Sequence, residues 1–240
     1  MSKDIFGEAI KDFYHNEYKE DIVVQAPDFD DDIIPIPYLF RSYEEMPQIE
    51  QKALDLAIGE VLDVGCGAGS HSLYLQEHKK LKVHAIDISE GAIEICKKRG
   101  IQTANVIDVL KLQEKQYDTL LFLMNGSGII GKLSDIDLFF THLKTLLKPN
   151  GQILIDSSDI SYLFAEEDGS FWVDTSKGYY GEMQYKMNYK NHSSDWFDWL
   201  YIDYNTLQNA ANSNGLLCEL ILEGESNDYL AKLTMATDSL

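Results

Sequence analysis

Four short stretches of this chain carry residue types able to bind and activate a small ligand. The first is Val61-Leu62-Asp63-Val64-Gly65-Cys66-Gly67-Ala68-Gly69-Ser70. An apolar run gives way there to alternate glycines, which let the backbone turn tightly and approach a ligand with no intervening Cβ. The helix expected to follow offers unpaired N–H groups and a partial positive charge. Spacing narrows the ligand. A nicotinamide-binding turn of the form G-x-G-x-x-G needs glycine where Ser70 stands, and a Walker loop needs Gly-Lys-Ser/Thr at its end. Neither is present. Asp63, two residues before the first glycine, would repel a pyrophosphate and attract an ammonium or sulfonium. The loop points to a ligand without phosphate.

The other three stretches end apolar runs further along. Asp87 lies in Ala85-Ile86-Asp87-Ile88-Ser89, about 20 residues past the loop, where a carboxylate accepts hydrogen bonds from ribose hydroxyls. Asp108 follows Asn105-Val106-Ile107 and is placed to accept a bond from an adenine amino group, with the Val109 N–H beside it. Met124-Asn125-Gly126-Ser127-Gly128 falls near the topological switch point at which such sheets bind ligands. A single carboxylate at a turn reads as a helix cap. Four strand ends in chain order, all with suitable groups, read as a site.

At these residues the chain resembles the class I S-adenosylmethionine-dependent methyltransferases. Asp63-Val64-Gly65-Cys66-Gly67-Ala68-Gly69 matches that family's cofactor motif, the similarity runs from about Glu60 to Ile155, and the last two strands resemble its reversed terminal hairpin. The resemblance implies an α/β fold: a doubly wound, mostly parallel seven-stranded sheet with one antiparallel terminal strand and helices on both faces. It implies S-adenosylmethionine as cofactor, S-adenosylhomocysteine as its product, and a cofactor-binding set of Asp63, Gly65, Cys66, Gly67, Gly69, Asp87, Ile88, Asp108, Val109, Asn125 and Gly126. In that set Asp63, Gly65 and Gly67 hold the amino-acid end and Asp87 the ribose. Asp108 and Val109 hold the adenine, and Asn125 and Gly126 lie beside the methyl group. The fourth stretch lacks the paired prolines and aromatic of amino-methylating DNA enzymes and the cysteine of cytosine-methylating ones, which favours a small-molecule acceptor. Two rivals stay open: a sensor or partner subunit that binds the cofactor without catalysis, and a nicotinamide-dependent oxidoreductase, which the glycine spacing and Asp63 oppose.

The elements needed to position these groups are legible in the periodicity. Apolar residues alternate with helical segments from Glu60 onward, with strands expected at 61–64, 83–88, 103–107, 119–124 and 152–156. Helices are expected at 70–78, 90–98 and 135–147. Ser89 and Ser134 are the expected N-caps of the last two helices; Gly100 stops the first of them, and Pro149 with Gly151 the other. Such alternation gives parallel strands with right-handed crossovers. Residues 1–58 read as a helical prefix or lid, with helices near 4–18 and 46–57 around an acidic, proline-containing stretch. Residues 59–240 form the main domain, with an antiparallel hairpin insertion at about 178–203, where Met183, Tyr185, Met187 and Tyr189 share one face. A short helix at 206–212 and two strands, 216–222 and 229–235, complete it.

The acceptor side is read from the prefix and the hairpin, which fall where methyltransferases of this class carry substrate-selecting lids. Tyr14, Tyr18, Tyr38 and Arg41, with Tyr180 and Trp196, are the expected acceptor-pocket residues, and Arg41 is a partner for the cofactor's carboxylate or an acidic acceptor. No catalytic residue is assigned: in-line methyl transfer needs a general base only if the acceptor must lose a proton early. His71 and His192 are read as structural. Composition sets the outer limits. Forty acidic against twenty basic residues give a formal net charge of −20, which opposes nucleic acid and anionic membrane partners. Three scattered cysteines without a Cys-x-x-Cys pair suggest neither zinc nor a disulfide framework. With no signal-like start and no apolar run of about 20 residues, a cytoplasmic location is the expectation.

Overall fold

A computed structural model describes residues 4–27, 29–164 and 178–236. The prefix opens with α1 (Ile5–Tyr14), whose Ile5, Ala9 and Ile10 recur at helical spacing and are buried. Asp4 caps it by accepting from the Gly7 N–H at 2.9 Å. Next come β1 (Ile22–Ala26) and β2 (Phe29–Ile34), an antiparallel pair to which the sequence reading assigned no strand. Pro35 and Pro37 do exclude regular structure beyond it, and the chain turns through a short 3-10 segment, Ile36–Phe40. α2 (Gln48–Leu56) then lays Ile49, Ala53 and Leu54 against the main sheet.

The main sheet begins with β3 (Glu60–Val64), α3 (Ser70–Glu77), β4 (Lys82–Asp87), α4 (Glu90–Lys98), β5 (Ala104–Val106) and β6 (Tyr117–Phe122). It continues through α5 (Ile136–Thr145) into β7 (Leu147–Ser158). Ser89 caps α4 as expected, accepting from the Ala92 N–H at 3.0 Å. Ser134 does not cap α5; it lies in a 3-10 turn, Leu133–Asp135, and Asp135 takes the cap position without a side-chain bond. Nor do Pro149 and Gly151 close that helix, which ends at Thr145. They sit inside β7, whose pairing with β6 jumps from Tyr117↔Leu147 to Thr119↔Gln152. A proline cannot donate to the ladder, so the strand bulges around it.

The chain then adds β8 (Glu182–Tyr189), β9 (His192–Ser193), β10 (Phe197–Leu200), α6 (Tyr204–Ser213), β11 (Leu216–Glu223) and β12 (Asp228–Met235). The seven-stranded order is β11-β12-β7-β6-β3-β4-β5, and β12 alone runs against its neighbours. α2 and α3 cover one face over Val61, Leu75, Leu121 and Leu154. α5 and α6 cover the other over Leu62, Phe122, Phe139 and Ile153. This is the doubly wound sheet that the sequence implied.

A second sheet, β10-β8-β1-β2 with β9 beside β8, joins the prefix to the inserted hairpin. Its register pairs Val24 with Met187 and Asp32, and Tyr185 with Phe197. One face is therefore the row Ile22, Val24, Ile34, Asp32, Met183, Tyr185, Met187, Tyr189, Phe197 and Trp199; the other carries Gln25, Asp31, Gln184, Lys186 and Asp198. The apolar row faces the main domain. With α1 it forms a core of Ile5, Ile10, Ile22, Val24, Ile36 and Tyr189 that also takes in Ala68 of the glycine loop and Ile95 of α4. This lid sheet thus rests on the ligand-binding end of the main sheet.

Candidate functional site

The glycine loop links β3 to α3. Gly65, Gly67 and Gly69 have φ of 71°, 53° and 84°, left-handed values that side chains with a Cβ rarely adopt. The Gly65 and Cys66 N–H groups both donate to the Ile86 carbonyl, at 2.9 and 3.1 Å, and tie the loop to β4. Asp87, at the end of β4, completes the clamp: Oδ2 accepts from the Gly67 N–H and Oδ1 from the Ser89 N–H, both at 2.9 Å. Each oxygen keeps a further lone pair for a ligand hydroxyl. Burial pushes the Asp87 carboxyl above its ordinary range, partly offset by those two N–H groups. Asp63 is buried too, accepts from the Ser72 hydroxyl at 2.6 Å, and is likewise pushed up by burial. Two carboxylates out of water, with no cation among the described residues bonded to either, are arranged to welcome positive charge or hydroxyl donors.

Beyond Asp87 the surface changes character. Ile88 is 77% exposed and Val106 46%, an unusual state for branched apolar side chains at adjacent strand ends. With Asp108, Lys111 and Leu112 they line an open cleft of about 560 Å³. Asp108 Oδ1 accepts from the Leu110 N–H at 3.0 Å, so this side chain caps a 3-10 turn. Val109 is buried beneath the cleft.

At the end of β6, Met124 and Asn125 both take positive φ, 66° and 55°. Two consecutive non-glycine residues there store strain that the surroundings must hold. Asp156 of β7 holds it, accepting from the Met124 N–H through Oδ2 (3.0 Å) and the Gly126 N–H through Oδ1 (2.8 Å). Ser158 donates to Asn125 Oδ1 at 2.7 Å. Asp156 is buried, and burial pushes its carboxyl up to about 7 against these N–H bonds, with Glu50 adding to the rise. The lid closes on this loop through Trp199: a Cβ on Gly128 would lie 1.9 Å from the indole.

Arg41 is buried beside α3. Its guanidinium stacks on the Tyr38 ring at 3.9 Å from the centroid, Nη1 donates to the Tyr38 carbonyl at 2.6 Å, and Nη2 pairs with Glu50. The same Glu50 oxygen meets the His71 ring at 2.6 Å. Burial would raise the Glu50 carboxyl, but His71 and Arg41 together hold it below its ordinary range. Among the described residues, Arg41 Nε alone is a buried side-chain donor with no partner. An unsatisfied buried donor of this kind costs about 1–3 kcal/mol, so it is a natural anchor for an anionic group of a ligand.

The side chains of other sequence-expected residues make contacts within the fold. The Cys66 thiol turns inward to Cys96 (Sγ–Sγ 3.7 Å), and that contact followed by burial keeps it protonated. Gly69 is required by packing, since a Cβ would strike Ile101 at 2.3 Å. Tyr14 is on the far turn of α1, its hydroxyl against the Lys98 carbonyl at the end of α4. Tyr18 bonds Asp21 inside the prefix at 2.6 Å, and Tyr180 bonds Asp159 at 2.8 Å. Trp196 is exposed; Trp199, three residues on, occupies the inner row instead. Sequence reasoning missed Phe6, whose ring edge lies 3.6 Å from a Cβ built on Gly67, and Asp156, a carboxylate at the end of an apolar run. Asp159 is a turn residue, accepting from the Ser161 N–H at 2.9 Å. Among the described residues no cluster suited to a metal ion occurs, and no helix is long and apolar enough to cross a membrane.

Comparison with known proteins agrees with this fold. A family model described as a methyltransferase domain matches residues 58–211. The chain is 48% identical to an S-adenosylmethionine-dependent methyltransferase from Bacteroides fragilis solved in complex with S-adenosyl-L-homocysteine, with a TM-score of 0.92 over 98% of this chain and 96% of that one. DesVI of Streptomyces venezuelae shares the fold at 16% identity, with a TM-score of 0.56 over 84% of this chain and 96% of that one. Phosphoethanolamine N-methyltransferase 3 of Arabidopsis thaliana is 31% identical over 106 residues, 42% of this chain and only 22% of that protein's own length. With a glycine loop clamped by Asp87, a family match over most of the main domain and a near-complete structural match to a methyltransferase, the chain belongs to the S-adenosylmethionine-dependent methyltransferases.

Proposed function

We propose that the chain methylates a small-molecule acceptor held between the glycine-loop end of the main sheet and the lid sheet. The observation that carries this reading is the clamp of Asp87 on Gly67 and Ser89, next to the cleft lined by Ile88, Val106 and Asp108. On this reading Asp87 receives the ribose hydroxyls, and Ile88 and Val106 sandwich the adenine. Asp108 accepts from the adenine amino group through its second oxygen. Gly65, Gly67 and Asp63 face the amino-acid end, where the ammonium meets the carboxylate of Asp63 and the α-carboxylate meets the unpartnered Nε of Arg41. When bound, S-adenosylmethionine supplies a methyl group made electrophilic by its sulfonium.

The chain's own residues then align and exclude water, the two effects that dominate such a displacement. Asp156 fixes the strained turn at Met124 and Asn125 against which the acceptor would rest. Phe6 covers the glycine loop at Gly67, and Trp199 covers the β6 loop at Gly128. The acidity of the chain, −20 overall, supports a small acceptor over a nucleic acid.

Thermal unfolding with S-adenosylmethionine, S-adenosylhomocysteine and NADH tests this directly. A ligand at about 100 times its dissociation constant adds roughly 2.7 kcal/mol, a rise of roughly 5–11 °C for a domain of this size. Both adenosyl compounds should raise Tm and NADH should not. Equal shifts with NADH, or none with either adenosyl compound at millimolar concentration, would end this reading.

A further inference from the structure

The lid's inner row sorts residues sharply. Its positions are apolar or aromatic except Asp30 and Asp32 of β2 and His192, which pairs with Tyr189; the Asp32 Cα pairs with Val24 on β1 and so shares the face of Met187 and Tyr185. Edge strands use inward charges to discourage pairing with other chains, so Asp32 alone would mean little. Its surroundings differ from that use. Tyr185 and Tyr201 bring their hydroxyls together at 3.3 Å, with their rings edge to face at 6.4 Å between centroids. Burial raises both phenols above their ordinary range, and Asp32 and Tyr162 lie near enough to add to the effect. Asp32 and the paired phenols of Tyr185 and Tyr201 therefore share one corner of the inner face, which opens to solvent at Asp32.

This corner continues the wall that closes on the β6 loop. Trp199 lies against Gly128, and Tyr201 follows it two residues on. Opposite, the ionisable groups at the end of β7 are Asp156 and Asp159, with Tyr180 bonded to the latter. No lysine or arginine occupies the inner row, and the buried Arg41 is already paired with Glu50. An anionic acceptor would meet carboxylates there with no cation to offset them, and a neutral one would use the phenol hydroxyls but leave the carboxylate without a counter-charge. A cation would find the electron-rich faces and the charge that such ligands require.

Resting on the methyl-transfer reading above, we infer that the acceptor is an amine, recognised as its ammonium form by the corner of Asp32, Tyr185 and Tyr201 on the lid's inner face. The step balances without further reagents. The ammonium first releases one proton to water; the freed nitrogen lone pair forms the new N–C bond as the C–S bond breaks. That bond's electron pair stays on sulfur, leaving a neutral thioether and an N-methylated ammonium.

The test separates cation recognition from cofactor binding. Tetramethylammonium has no lone pair to methylate, so it reports binding alone, and tert-butanol is a neutral molecule of similar shape. Calorimetry would first titrate S-adenosylhomocysteine into wild type, Asp32→Asn, Tyr201→Phe and Tyr185→Phe. Each probe would then be titrated into the loaded proteins. The expected result is equal S-adenosylhomocysteine affinity in all four, which also shows that the variants fold. Wild type should prefer tetramethylammonium over tert-butanol by roughly tenfold or more, and Asp32→Asn should reduce that preference by roughly fivefold. Equal binding of the two probes to loaded wild type would overturn the amine assignment and leave the cofactor reading intact. So would an unchanged preference in Asp32→Asn, assigning Asp32 to edge protection. Failure of wild type to bind S-adenosylhomocysteine would overturn the methyl-transfer reading and this inference with it.

Discussion

The two sheets of this molecule handle their polar groups in opposite ways. At the end of the main sheet, carboxylates are buried and spent on backbone: Asp87 on Gly67 and Ser89, Asp156 on Met124 and Gly126. In the lid the polar groups are phenols, half-buried and bonded to one another or to nearby acids, as with Tyr185 and Tyr201 or Tyr180 and Asp159. The first arrangement is rigid and suits a ligand whose shape never changes. The second leaves hydroxyls that can reorient, as a wall chosen for one acceptor requires. On the proposed function, the molecule separates a fixed cofactor half from an adaptable acceptor half.

The strongest way to break this comparison is at Asp87. Asp87→Ala leaves two loop N–H groups without their acceptor; hydrogen bonds to charged groups contribute about 1.5–3 kcal/mol each. Affinity for S-adenosylhomocysteine should fall by on the order of 100-fold by calorimetry. A loss below about threefold would place the cofactor elsewhere. Gly128→Val attacks the seam between the halves. Its side chain would overlap the Trp199 indole, and overpacking of this kind costs about 1–3 kcal/mol. Tm should drop and methyl transfer should decline far more than cofactor affinity; parallel losses would mean that the seam belongs to the cofactor site.

Acidity sharpens the picture next. Burial raises Asp156 from an ordinary 3.8 to about 7 in the folded chain, so between those values the native state holds a proton that the unfolded chain has released. The contribution of this group to stability is then present below about pH 4 and is lost as pH rises through about 7. Asp63 and Asp87 are raised in the same direction. Denaturant titrations of the cofactor-free protein should show a decline across that window, flattened in Asp156→Asn. A profile identical to wild type in the variant would assign the decline to the other two carboxylates. A smaller effect is expected from Asp4, which caps α1 through Gly7 and reaches α4 through the Ser89 hydroxyl and the Gly91 N–H, at 2.9 and 2.8 Å. Asp4→Ala should cost about 1–2 kcal/mol in urea unfolding, and a neutral result would show that α1 is held by its apolar face alone. Least of all, Tyr14→Phe should leave cofactor affinity and methyl transfer unchanged within twofold of wild type, roughly 0.4 kcal/mol. A larger change would return this tyrosine to the acceptor side.

The same division explains what could be read from the sequence. The main sheet announces itself through local signals: three alternate glycines, carboxylates closing short apolar runs, and Ser89 before a helix. Each needs only a few neighbouring residues to be interpreted, and β3, β4 and α4 stand within a residue or so of their expected places. The lid resists such reading because its meaning lies in pairing across the chain. β1 and β2 have no tight-turn glycine and include three successive aspartates, so nothing local marks them as strands; they become strands because β8 supplies a partner. Arg41 was legible as a charged residue aimed at a ligand, but its ties to Glu50 and His71 depend on how α2 meets α3. Trp196 and Trp199 differ by a register of three residues, and in a strand an odd shift turns a side chain to the opposite face. Asp156 was hidden because a carboxylate inside an apolar strand gives no sign of what lies over it.

The joining of β1 to β8 also fixes an order of assembly. The Tyr189 hydroxyl bonds Asp12 across a separation of 177 residues at 2.8 Å, whereas the glycine loop, Asp87 and Asp108 all come from one continuous stretch. During synthesis that stretch can collapse early, while β1 and β2 wait as an isolated ribbon, a unit of marginal stability in water. Contacts so distant in sequence form late and slowly, and until β8 emerges the apolar residues Ile22 and Val24 stay open to wrong partners. Nascent chains halted before residue 182 should therefore present a nearly finished cofactor pocket with no roof, and it is in this interval that a chaperone would find something to hold.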